Sequence, residues 1–405
     1  LLKSAAGRTR MGTPAARVAG LTSPAKAMCA AAAAARTPAV VIVPNDAEVE
    51  RLTVDARFFL AALEGLSDAD VERAVLPFPS HEVDPYRGLK PHFDIASARA
   101  RALHGIASGT ARLLVASAPA LLPRLTQPER LMRTALTLTP GQDISPTTLA
   151  DLFAEAGYTR QDPVDESGEF CVRGGVVDFY PAGAVEPIRL EFVGDTIESI
   201  RAYDPATQRS SVPLDQAAIA PLQELPGDPD ELDRTATVFE YFSSVRPIVF
   251  VSEPDEVHAH GRKLWEQVQA SYDEAIEKGQ RVARPEELLV DWDTVSAWLE
   301  GATALETLAL TDDDPRTVHI GCQPAVEFSG RVQDWVEEIR RGRERGDTMI
   351  LVAHTPGRAE RTIELLADYE IFAVPMEHAS EAHAASVLVG IGYLSRGFRL
   401  PEAQL

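Results

Sequence analysis

The spacing of apolar residues changes character along this 405-residue chain, and that change limits the folds open to it. In the first third, short β-branched runs alternate with helical stretches. Val40 to Val43 reads as a buried strand, and Pro44-Asn45-Asp46 then opens a helix running to about Leu63. A helix over Ile95 to Ile106 precedes a second strand at Arg112 to Ser117. Strand–helix alternation of this kind predicts a parallel sheet covered by helices. From Glu169 to about Arg209 the period becomes two. Ile188, Leu190 and Phe192 alternate with Arg189 and Glu191, which predicts a strand with one wet face. Gly174-Gly175 suggests a bulge or a close backbone approach, and Gly194-Asp195 a turn. Ser145-Pro146 starts a short helix ahead of this region, with Leu149, Leu152, Phe153 and Ala156 at helical spacing and Gly157 as its stop. Two periods in one chain predict a small antiparallel α+β unit inserted into a parallel-sheet unit.

Pro221 to Asp230, rich in Pro, Gly and acid, is the expected return linker. A buried strand over Pro247 to Val251 and a helix over Glu256 to Lys278 follow, with Leu264, Val268 and Tyr272 facing the core. A third unit is expected from Asp314. It has an amphipathic helix (Val332, Trp335, Val336, Ile339), a strand (Met349 to Val352), a helix (Ala359 to Tyr369) and a strand (Val387 to Ile391). The chain stops at Leu405 in what reads as the beginning of another strand, so a truncation is expected there.

Composition narrows the function classes. The formal net charge is −22, from 61 acidic and 39 basic residues, whereas binding of duplex DNA through phosphate contacts normally needs a basic face. Charge therefore favours protein partners. The Ala-rich stretch Ala30 to Ala35 is too short and too weakly apolar to span a bilayer, so no membrane is expected. Cys29, Cys171 and Cys322 stand far apart, fitting neither a disulfide framework nor a zinc site, and suit a reducing cytoplasm.

Gly20-Leu21-Thr22-Ser23-Pro24-Ala25-Lys26-Ala27 has the length of a phosphate-binding loop. Such a loop needs a Gly before its Lys and a hydroxyl residue after it to ligate magnesium. Ala25 and Ala27 stand there, and Pro24 removes a backbone N–H that a phosphate cradle would use. Lys26 is one of five lysines in the chain. The acidic pair of a nucleotide site would follow the buried strand Ile248 to Val251, where Ser252-Glu253 occurs instead of an Asp-led pair. Gly20, Lys26 and Glu253 are thus remnants, and no catalytic, cofactor or metal site is expected. His258 and His260 with Glu256 do not converge on one point of a helix.

These residues resemble a family. Gly20 to Ala27 falls where UvrB carries its intact phosphate loop. Phe78-Pro79, Asp84-Pro85-Tyr86 and Pro91-His92-Phe93-Asp94-Ile95-Ala96-Ser97-Ala98-Arg99 look like the next segment of the bacterial transcription-repair coupling factors, Mfd, with too few residues after Tyr86 for UvrB's DNA-clamping hairpin. Gly168 to Pro181, Pro187 to Asp195 and Ser199-Ile200-Arg201 are similar to the UvrA-binding stretch shared by UvrB and Mfd. Gly392-Tyr393-Leu394-Ser395-Arg396-Gly397-Phe398 looks like the element closing Mfd's third domain. The resemblance implies an α/β chain with a degenerate P-loop, helicase-like parallel-sheet domain over 1–142 and 221–313. It also implies an inserted UvrA-binding-like α+β domain over 143–220, and a truncated third α/β domain over 314–405. It implies UvrA as partner, contacted by Arg173, Arg189 and Phe192, and Val193 departs from the aromatic common in relatives at that place; strand alternation, and a bulge at the Gly pair, predict that Arg189 and Arg173 are exposed. It also implies that ATP, magnesium, RNA polymerase and DNA belong to downstream motor and polymerase-binding domains. Two alternatives stay open: an ATP-dependent helicase-like enzyme, supported by Lys26 and Glu253, and a UvrB-like subunit with an unusual phosphate loop.

Overall fold

Seven parallel strands form the central sheet of the computed structural model, which describes residues 2–9, 11, 16–225, 232–243, 245–308, 316–326, 328, 331–376 and 387–405. Their order is Thr317–His319, Arg17–Ala19, Thr303–Glu306, Ile248–Ser252, Ala39–Val43, Leu113–Ser117, Val75–Phe78. Ala39–Val43 and Leu113–Ser117 are buried at every residue because helices cover both faces. One face packs Ser23–Ala34 and Asp46–Glu64, and the other packs Phe93–Ala107, Pro254–Glu277 and Trp292–Leu299. The Ala-rich helix is the most enclosed of these, buried from Pro24 to Ala34, since its small side chains let the Asp46–Glu64 helix lie close. Asn45 caps that partner helix by accepting from Glu48 N–H, and Gly65, at φ 69°, ends it.

The inserted unit leaves and returns through a two-stranded neck, Leu136–Leu138 paired antiparallel with Ala217–Ile219. Beyond it lies a six-stranded sheet: Arg209–Pro213, Thr196–Asp204, Ile188–Val193, Val176–Phe179, Glu169–Arg173, Thr159–Arg160. All of its pairs are antiparallel except the last. The helix Pro146–Glu155, capped by Ser145, presses Leu149 and Phe153 onto Phe170, Val177, Phe179 and Leu190. Gly174-Gly175 is the two-residue turn of a hairpin, with Arg173 opposite Val176, and not a bulge; Gly174 takes φ 58°. The close approach expected there is present, since Gly175 O accepts from Phe192 N–H at 2.8 Å.

At the neck, the expected linker is an anchor. Glu224 is buried and ion-paired to Arg99, which is fully buried in the Phe93–Ala107 helix. His81 Nε2 lies 3.1 Å from the same carboxylate. Residues 226–230 of that linker, and Asp314, lie outside the described residues.

The third unit has three parallel strands, Met349–Ala353 and Ala373–Pro375 flanking Val387–Ile391. Two expectations for 314–405 are corrected. Thr317–His319 extends the large sheet beside Arg17–Ala19, and Ile320 packs in its core. Of the segment before Leu405, only Phe398–Arg399 is strand, paired with Gln323–Pro324, and Pro401–Ala403 is a helical turn rather than its continuation. The Gly392–Phe398 segment straps this unit to the first. Ser395 N–H and hydroxyl both donate to the buried Asp55 carboxylate at 2.6 Å, and Phe398 meets Phe59 edge-on. Among the described residues, no helix is long and apolar enough to cross a membrane.

Candidate functional site

Two places were expected to matter, and the fold keeps them far apart in kind. The first is the corner of the large sheet where Gly20, Lys26 and Glu253 meet. The helix already starts at Ser23, so only Gly20, Leu21 and Thr22 remain as loop. Leu21 N–H is taken by Glu306 O, Lys26 N–H by Thr22 O, and Pro24 has no N–H to offer a phosphate. Gly20 has φ 82°, and a Cβ there would stand 2.2 Å from Ile320 O. Its glycine thus serves strand packing.

Lys26 is buried, and its Nζ donates to Glu253 Oε1 at 2.6 Å and Ser252 Oγ at 3.0 Å. Glu253 Oε1 also accepts from Thr307 N–H at 2.9 Å and Thr307 Oγ1 at 2.7 Å. Glu253 itself holds φ 51°, a left-handed backbone at the strand-to-helix turn, where these three hydrogen bonds hold its side chain. Burial would raise its carboxyl, but the hydrogen bonds from Lys26 and Thr307 keep it below the usual range. Around this single lysine lie Glu48, Glu256 and Glu306 as well. A polyphosphate would have to displace Glu253 from Lys26 and enter an acidic field. His258 Nδ1 accepts from Trp292 Nε1 and His260 Nδ1 lies 2.9 Å from Glu256 O, so the two rings are engaged separately.

The second place is the outer face of the inserted sheet. Cys171, Asp178, Arg189 and Arg201 form one cross-strand row. Leu190 is buried on the inner face, with Ile188 and Phe192 packed against the core, as the alternation predicts. Phe192 is half-buried there, and the exposed apolar side chain beside it is Val193. The outer face differs from expectation. Asp178 is completely buried in it, and both arginines converge on its carboxylate. Arg189 Nε and Nη2 donate to Oδ1 and Oδ2 at 2.7 and 2.9 Å, and Nη1 donates to Gln208 O. Its guanidinium lies 4.6 Å over the buried Tyr203 ring. Arg173 Nη2 donates to Asp178 Oδ2 at 2.5 Å and Nη1 to Asp162 Oδ1 at 3.0 Å. Arg189 is therefore not an exposed side chain, at 17% against 42% for Arg173. The face is not uniformly wet because a carboxylate sits inside it and must be paired.

The outer face lies inside a recognisable span. A family model described as the UvrB interaction domain matches residues 136–225, from the first neck strand to just past Glu224. A second, described as the MFD D3 domain, matches residues 344–405. A transcription-repair-coupling factor of Myxococcus xanthus is 26% identical across 90% of this chain and 36% of its own length. One from Bacillus subtilis is 23% identical across 96% of the chain and 37% of its own length. The Escherichia coli protein of that name is 30% identical across 47% of the chain and 16% of its own. The chain is similar across most of its length to the transcription-repair coupling factors. It corresponds to the N-terminal region and spans little more than a third of the relatives that match most of it.

The two arginines that alternation and the resemblance single out do come together, over a residue that neither singles out, Asp178. Asp178 stands in the apolar run Val176-Val177-Asp178-Phe179, and a lone carboxylate in a buried strand is the signal that a cation must cover it. Glu224 carried no such signal, since it sits in a stretch whose Pro, Gly and acid content reads as solvent-facing.

Proposed function

We propose that this chain is a UvrA-docking module of a coupling factor, bringing excision repair to a stalled polymerase, and that it has lost nucleotide chemistry. The observation carrying the docking reading is the pair of arginines gathered over Asp178 on one face of a sheet within the span matched by the UvrB interaction domain. Arginine forks held at a surface suit partner carboxylates, and Val193, 64% exposed nearby, adds an apolar contact in place of an aromatic. On this reading UvrA is the direct partner, and UvrB competes for the same UvrA surface. The loss of nucleotide chemistry is supported by the filled corner at Lys26 and Glu253. ATP, magnesium, RNA polymerase and duplex DNA are then handled by other parts of a full-length, cytoplasmic ATP-driven translocase. The test is competition: the chain captured on immobilised UvrA is released by added UvrB. Failure to bind UvrA at all, or capture indifferent to excess UvrB, would contradict the docking reading.

A further inference from the structure

Resting on the docking reading, we infer that Arg173 and Arg189 are not equivalent anchors. Asp178 and Arg189 form a buried platform, Arg173 is the group that meets a partner's carboxylate, and Asp178 is a positioning residue acting through Arg173. A guanidinium has five N–H donors. Arg189 commits four hydrogen bonds, two to Asp178 and two to Gln208, while stacked over Tyr203. A partner reaching it would have to break bonds already made. Arg173 commits two, to Asp162 and Asp178, which leaves three N–H groups on a side chain 42% exposed.

The two carboxylates that hold Arg173 differ. Asp162 is 54% exposed, so its pull is screened by water. Asp178 is completely buried, and its field is not. Asp178 therefore fixes the plane of the Arg173 fork before any partner arrives, which lowers the ordering cost of docking. The position of Arg173 at the last strand residue before the Gly174-Gly175 turn keeps that fork at the rim of the sheet.

The experiment is a double-mutant cycle read in UvrA affinity by calorimetry, using the whole 405-residue chain. Asp178→Asn is expected to weaken binding about tenfold in the native background and less than about twofold in an Arg173→Ala background, the non-additivity of residues acting as one unit. Equal losses in both backgrounds would make Asp178 merely structural and overturn the inference. So would tighter binding by Asp178→Asn, which would mean that Asp178 masks Arg173. Should Asp178→Asn fail to fold by circular dichroism, Arg173→Lys decides. A lysine keeps the charge but not the fork, and is expected to bind as poorly as Arg173→Ala; native affinity would overturn the inference. Thermal melts test the asymmetry without UvrA: Arg189→Ala must melt below Arg173→Ala, and equal melts would refute the platform. If the native chain itself fails to bind UvrA, the docking reading falls and takes the inference with it, an outcome distinct from all of these.

Discussion

Glu224 is buried beside Arg99 and His81, and its ionisation ties the inserted unit to the first. Burial would raise its carboxyl, but Arg99 and His81 together outweigh that and hold it at about 2, against an ordinary 4.5. A depressed carboxyl contributes stability that is complete above the ordinary value and lost as pH falls through the folded one. The difference is worth about 3 kcal/mol. Glu224→Gln should therefore be less stable than the native chain by roughly that amount at pH 7. The gap should narrow as both are titrated from about pH 4.5 towards pH 2. Urea unfolding at a series of pH values measures it, and a gap independent of pH would refute the assignment. Lys26 gives a second test. In a working nucleotide site, removing this lysine abolishes binding and leaves the fold alone. Here Lys26→Met should destabilise by about 1–2 kcal/mol, because Glu253 loses its cation, and change nothing in a titration with Mg-ATP. An unchanged melt, or an ATP isotherm that the substitution removes, would restore the enzymatic alternative.

At the scale of elements, Gly20 separates two explanations of one loop with the length of a phosphate-binding loop. If it served a phosphate, alanine would be tolerated by the fold. The backbone at φ 82° and the Ile320 carbonyl oxygen 2.2 Å from a Cβ predict otherwise. Gly20→Ala should cost about 2 kcal/mol or more, visible as a lowered melting transition, and an unaltered melt would contradict the packing described. Much of the element order was legible. Ala39–Val43 and Leu113–Ser117 lie between helix layers, so every position is apolar and the run stands out. Ile188–Val193 alternates because only one of its faces joins the core. Arg17–Ala19 and Thr317–His319 were not legible: three residues are too few to show a period, and what makes them strands is pairing across the chain, Arg17–Ala19 with both Thr303–Glu306 and the edge strand Thr317–His319. The outer face of the inserted sheet was half legible. Alternation puts Arg189 opposite Leu190, but not the identity of what lies beneath it, since Asp178 comes from the neighbouring strand.

For the whole molecule, the units are joined by polar anchors buried at their junctions. Arg99 and Glu224 hold the neck of the inserted unit, and Asp55 holds Ser395 of the strap from the third. Such anchors fix orientation more than they add stability, since a buried charge costs solvation that its partner must return. A chain so fixed, with a net charge of −22, is suited to presenting one face to a protein partner. The most direct measurement is a calorimetric titration of UvrA with the native chain and with Arg173→Ala. The account predicts saturable binding by the native chain and a loss of about thirtyfold, or 2 kcal/mol, for a variant whose circular dichroism and melt remain native. Native affinity retained by Arg173→Ala would move the docking face elsewhere, and a flat titration with the native chain would contradict the central claim outright.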